Sequence, residues 1–125
     1  GEPDAAQKTM IDLVLEAWEI ISSFIKPGES TYAISKAVDS FFKKHGFAMP
    51  HALGHGIGLD SHEYPLLRNR EDTDVGLAGG MVLAIEPGIY KKEIGGVRLE
   101  NDVLVTESGM EVLTRSRIQF FPDLV

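Results

Sequence analysis

The chain has 125 residues, with 12 Lys and Arg against 19 Asp and Glu, a formal net charge of −7. That length suits one domain, and 43% hydrophobic with 25% charged residues is a globular balance that excludes whole-chain disorder. A pI near 5.0, with no basic run beyond Lys43-Lys44 or Lys91-Lys92, lacks the electrostatic footprint of a nucleic-acid or anionic-membrane binder. The absence of cysteine excludes disulfides, thiolate metal sites and cysteine nucleophiles, and suits a reducing cytosol. No apolar stretch approaches the about 20 residues of a membrane span, and Gly1-Glu2-Pro3-Asp4 lacks the cationic start and apolar run of a signal peptide. The composition therefore predicts a soluble, cytoplasmic protein without nucleic-acid or membrane partners.

The first third of the chain predicts two helices. Asp4 and Gln7 have the spacing of a capping box, because the carboxylate can accept the amide three residues on while the glutamine reaches back. Met10, Leu13, Val14, Ala17, Ile21, Phe24 and Ile25 then recur every three or four residues until Lys26-Pro27-Gly28, which predicts a helix over 4–26. Ser30 or Thr31 can cap a second helix over 31–45, whose buried stripe is Ile34, Ala37, Val38, Phe41 and Phe42. Gly46 is its left-handed stop, and His45 near its end faces the negative pole of the helix dipole.

Beyond this point the pattern changes. Ten of the 13 glycines lie between Gly46 and Gly96, and apolar residues come in short runs or alternate, which favours strands and turns over 50–125. Met81 to Ile85 predicts a short strand. The alternation of Val97, Leu99, Val103 and Val105 with charged residues predicts a second strand that sends Arg98, Glu100 and Asp102 to one face. Ser108-Gly109 can turn the chain into a last strand over 111–114. The fold class expected is α+β or α/β with an antiparallel sheet.

Three of the four histidines, His51, His55 and His62, fall in one glycine-rich stretch. Any one of them could be an ordinary polar loop residue. Three together among residues that thin the backbone suggest a site approached closely by something else. Glu86 ends the apolar strand before Pro87-Gly88, where a carboxylate is solvated, paired or bound to a cation. Arg98, Glu100 and Asp102 could equally form a surface ladder of ion pairs. One histidine and two glutamates from separate segments are the mixed nitrogen and oxygen set that accepts zinc, manganese, cobalt or iron. With a metal-activated water, a carboxylate to take its proton and a histidine to support the oxyanion, these residues suit metal-assisted amide hydrolysis.

Three motifs then carry a resemblance. His51-Ala-Leu-Gly-His55-Gly-Ile-Gly-Leu-Asp-Ser-His62-Glu63-Tyr-Pro65, Ala84-Ile85-Glu86-Pro87-Gly88-Ile89-Tyr90 and Gly96-Val97-Arg98-Leu99-Glu100-Asn101-Asp102 resemble the Xaa-Pro dipeptidase (prolidase) and Xaa-Pro aminopeptidase branch of the pita-bread metallopeptidases, relatives of methionine aminopeptidase. The resemblance implies an α+β pita-bread fold, second half only: two helices followed by a mostly antiparallel sheet. It implies His55, Glu86 and Glu100 as metal ligands, with Glu86 also the general base and Glu100 bridging two ions. His62 would stabilise the tetrahedral intermediate as a catalytic residue, and His51 would act near the scissile bond on the proline side. Arg98 would orient the metal cluster through hydrogen bonds to its ligands.

Members of this family also carry two aspartate ligands on an earlier hairpin, which would lie immediately before Gly1. The expectation is therefore a part of a cytosolic Xaa-Pro dipeptidase that uses two divalent ions (Mn, Co or Zn) when intact. This chain alone is expected to bind at most one ion weakly, and to be inactive. Its partners would be a small Xaa-Pro peptide as substrate and, through apolar surface left uncovered, a second copy in a homodimer. Xaa-Pro aminopeptidase, methionine aminopeptidase and a non-catalytic pita-bread binding module are the alternatives.

Overall fold

A computed structural model describes residues 2–116, so the end of the 50–125 region lies outside the described residues. Helix α1 spans Ala5–Phe24 and α2 spans Thr31–Lys44. The capping box at the start of α1 is formed as expected: Gln7 N–H donates to Asp4 Oδ1 at 2.8 Å, and Asp4 N–H donates to Gln7 Oε1 at 3.0 Å. The helix stops at Phe24, two residues before the expected end, because Pro27 disfavours helical geometry at Lys26 and the chain becomes extended at Ile25. Ser30 caps α2 by accepting from Ala33 N–H at 2.9 Å. At the other end Gly46, at φ +78°, takes the left-handed position, and His45 Nδ1 donates to Phe41 O at 3.0 Å.

Seven strands follow: β1 Gly54–Gly56, β2 Glu63–Leu67, β3 Val82–Ile85, β4 Gly88–Lys91, β5 Gly95–Arg98, β6 Asn101–Thr106 and β7 Gly109–Val112. Five form one antiparallel sheet in the order β2-β1-β3-β6-β7, while β4 and β5 pair as a separate two-stranded ribbon. The sequence pattern predicted one strand from Val97 to Val105. Instead the chain leaves the ribbon after Arg98 and enters the main sheet at Asn101, with Leu99 and Glu100 as the joint. Alternation survives this break because Leu99, Val103 and Val105 are all buried. The last strand likewise begins earlier than expected, at Gly109, and ends at Val112.

The core lies on the helix-covered face of the sheet. Leu83, Ile85, Val103 and Val105 meet Val14, Ile21, Ile34, Val38 and Phe42 there, all 1% exposed or less. Since side chains alternate along a strand, the neighbours of these residues point to the opposite face. Register fixes which they are: His55 pairs with Ala84, and Ala84 pairs with Asp102. Among the described residues no helix is long and apolar enough to cross a membrane.

Candidate metal centre

Strand β1 is only three residues long, and all three are buried between β2 and β3. Glycines on both sides of His55 make this possible. A Cβ on Gly54 would run into the Ala84 carbonyl, and one on Gly56 into the Tyr64 carbonyl. His55 is thus locked on the rigid centre of the sheet, 7% exposed. Its Nδ1 donates to the Gly56 carbonyl at 3.0 Å, so in the neutral ring Nε2 carries the lone pair. That nitrogen faces Glu86 Oε1 at 3.8 Å, beyond hydrogen-bond length.

Glu86 follows β3 directly, and its backbone N–H is held by the Leu53 carbonyl at 2.8 Å. Its other oxygen lies 3.5 Å from Arg98 Nη1, the last residue of β5. Glu100 stands on the joint between ribbon and sheet. His55, His62, Glu86, Arg98, Glu100 and Asp102 all line one open cleft of about 410 Å³. The break between β5 and β6 therefore does not disperse the three charges that alternation placed together.

The loop from Ile57 to His62 forms the far wall. It folds over the Glu63 carboxylate, which accepts from Asp60 N–H at 2.8 Å and occupies the space that a side chain at position 58 would need. His62 is exposed, and its ring stacks on His55 with centroids 4.1 Å apart. Its Nδ1 is 3.1 Å from Ser61 Oγ.

His51 is placed differently. It lines a second pocket of about 260 Å³ beside Asp39, Arg68 and Asn69. Both its nitrogens are engaged: Nδ1 donates to the Ala52 carbonyl at 2.7 Å, and Nε2 accepts from Tyr90 Oη at 3.1 Å. Gly88 leaves room for this pair, since a Cβ there would lie 2.9 Å from Tyr90 Oη and 3.0 Å from His51 Nε2.

The donor set fits a divalent ion with nitrogen and oxygen preference. A nine-tenths buried imidazole presents an unprotonated nitrogen beside a carboxylate, with a second carboxylate on the same wall. Among the described residues, no three His, Asp or Glu side chains are drawn closely enough together to enclose a cation. His55 and Glu86 come together, whereas Glu100 stays exposed at the edge.

Residues 1–107 match the metallopeptidase family M24. The chain belongs to that family. The family implies divalent metal ions. This M24 chain is 38% identical over 118 residues to an Xaa-Pro dipeptidase of Pyrococcus furiosus, an alignment covering 93% of this chain and 33% of that protein. Among solved structures it is similar to the prolidase of Pyrococcus horikoshii OT3, with TM-score 0.87 and 36% identity over 94% of this chain and 34% of the other. The X-Pro aminopeptidase of Thermotoga maritima MSB8 gives TM-score 0.84 and 36% identity, covering 94% and 33%. The fold is thus part of the pita-bread fold, and the M24 chain spans about a third of the length of these relatives.

Two contributors were less visible in the sequence. Tyr90 stood inside a quoted motif, but its partner His51 is 39 residues away and no periodicity links them. Asp102 did carry a signal, the alternation with Arg98 and Glu100, which equally described a surface ladder.

Proposed function

We propose that the protein to which this chain belongs hydrolyses the peptide bond between an N-terminal residue and proline in Xaa-Pro dipeptides. The observation that carries this reading is His55 Nε2 facing Glu86 in a cleft shared with Glu100 and His62. His55, Glu86 and Glu100 hold the ions, for which manganese, cobalt and zinc are suitable. Bound there, a divalent ion supplies Lewis-acid polarisation of the scissile carbonyl and makes a water acidic enough to serve as nucleophile.

The remaining roles belong to side chains. Glu86 accepts the proton of the attacking water, and Arg98 fixes the orientation of its carboxylate. His62, on the braced loop, donates to the oxygen on which charge develops. His51 has both nitrogens occupied and serves on the proline side through its hydrogen bond with Tyr90. Two further aspartate ligands come from sequence outside these 125 residues, so the chain alone binds one ion weakly and turns nothing over. Its partner is a second copy: Leu59, at 104% exposure, and Tyr64, at 68%, leave apolar surface beside the cleft. A cytosolic location belongs to the same proposal.

Equal identity to an X-Pro aminopeptidase supports a second reading, action on longer peptides that begin Xaa-Pro. The test supplies the protein with manganese and a segment bearing the two aspartates, then compares an Xaa-Pro dipeptide with the tripeptide extended after proline. Preferential cleavage of the dipeptide is expected; preference for the tripeptide selects the aminopeptidase, and cleavage of neither rejects both.

A further inference from the structure

The proposed chemistry uses every charged group on the cleft wall except one. Asp102 is the partner of Ala84 across the sheet, and Ala84 is the partner of His55. Directly paired residues share a face, and strands are about 4.8 Å apart, so Asp102 lies about 10 Å from His55. Only the methyl group of Ala84, 2% exposed, stands between them. The backbone that carries Asp102 is fixed at both sides, by its N–H to Thr114 Oγ1 at 2.8 Å and its carbonyl to Leu113 N–H at 2.8 Å.

The carboxylate itself is half-buried in the cleft, and among the described residues neither a hydrogen-bond donor nor a basic side chain meets it. Arg98, the cation of this wall, is turned to Glu86. A carboxylate without a partner on the wall of a cleft is available to an incoming cation. The buried imidazole two strands away bears on the same cleft: His55 Nε2 has no hydrogen bond, faces Glu86 and marks where the reacting end of a ligand sits.

We propose that Asp102 determines specificity, by accepting the cationic side chain of a Lys or Arg that precedes the scissile bond. The inference rests on the proposed function, since it takes His55, Glu86 and Glu100 to hold the reacting carbonyl. The substrate class becomes Lys-Pro and Arg-Pro, with the long side chain running along the floor over Ala84.

The experiment compares binding of Lys-Pro and of norleucyl-proline, its uncharged analogue lacking only the terminal ammonium, to the protein supplied with manganese and the segment bearing the two aspartates, by calorimetry, with hydrolysis of both followed separately. Both peptides carry the same α-ammonium and carboxylate, so the comparison isolates the side chain. Lys-Pro should bind about fivefold more tightly. Asp102→Asn should bring the two together, and Asp102→Lys should reverse the order in favour of norleucyl-proline. Equal affinities in the unsubstituted protein, no binding of Lys-Pro, or an equal loss for both peptides in D102N would overturn the inference. Loss of manganese binding in D102N would also overturn it, by making Asp102 an ion ligand. Norleucyl-proline cleaved without any preference for Lys-Pro would leave the peptidase reading intact. Preferred binding of Lys-Pro with no cleavage would uphold the inference and sink that reading.

Discussion

At the scale of single residues, the arrangement turns on which nitrogen of each histidine is free. His55 and His51 both donate through Nδ1 to backbone carbonyls, yet only His55 leaves its Nε2 without a hydrogen bond. Arg98 is the next determinant, because its guanidinium is the group that meets Glu86 Oε2. Outer-sphere partners of this kind contribute about 10- to 100-fold in metal affinity. Arg98→Gln should therefore weaken manganese binding by about that factor in a competition titration with a fluorescent chelator. An unchanged affinity would reduce the pair to an incidental surface contact. That His55, Glu86 and Glu100 belong to one cleft was legible in the sequence because each sits in a distinctive local motif. The partnership of His51 with Tyr90 was not, because it depends on how the ribbon folds back against the 51–53 segment.

At the scale of elements, β1 is held by what its glycines lack. Gly54→Ala would press a methyl group onto the Ala84 carbonyl, which belongs to backbone and cannot swing aside. Overpacking of this kind costs about 1–3 kcal/mol, so G54A should lower the midpoint of chemical denaturation and weaken metal binding together. Intact binding at reduced stability would show that His55 does not need the tight strand.

The start of α2 is held from a distance. Asp74 accepts from Tyr32 N–H at 3.0 Å and from Ser30 Oγ at 2.7 Å, which holds its carboxyl below the ordinary value of 3.8. A depressed folded value means that the contribution is complete above that ordinary value and fades as pH falls below it. Asp74→Asn should accordingly lower thermal stability at neutral pH and lose its difference from the unsubstituted protein in strong acid. A difference that persisted undiminished at the acid end would contradict the clamp.

Both helices were legible because their caps and stripes are local in sequence: Asp4 with Gln7, and Ser30 with Ala33. The division of 97–105 between two sheets was not, because both halves keep the same alternation. Only pairing partners, Gly88 for Arg98 and Ile85 for Asn101, reveal the break.

For the whole molecule, the helices and the sheet make one core, but the cleft is open, and Leu59 and Tyr64 in the segment from β1 into β2 are exposed. Leu59 and Tyr64 are expected to be covered by a second copy, so light scattering at high concentration should give a dimer or larger species. A monomer there would count against this.

The central claim is that the 125 residues carry one usable set of ligands, His55, Glu86 and Glu100, and need further aspartates for the second ion. Calorimetric titration of the chain with manganese tests it most directly. The account predicts one weakly bound ion, lost in Glu86→Gln. Two tight sites, or binding that survives that substitution, would contradict it.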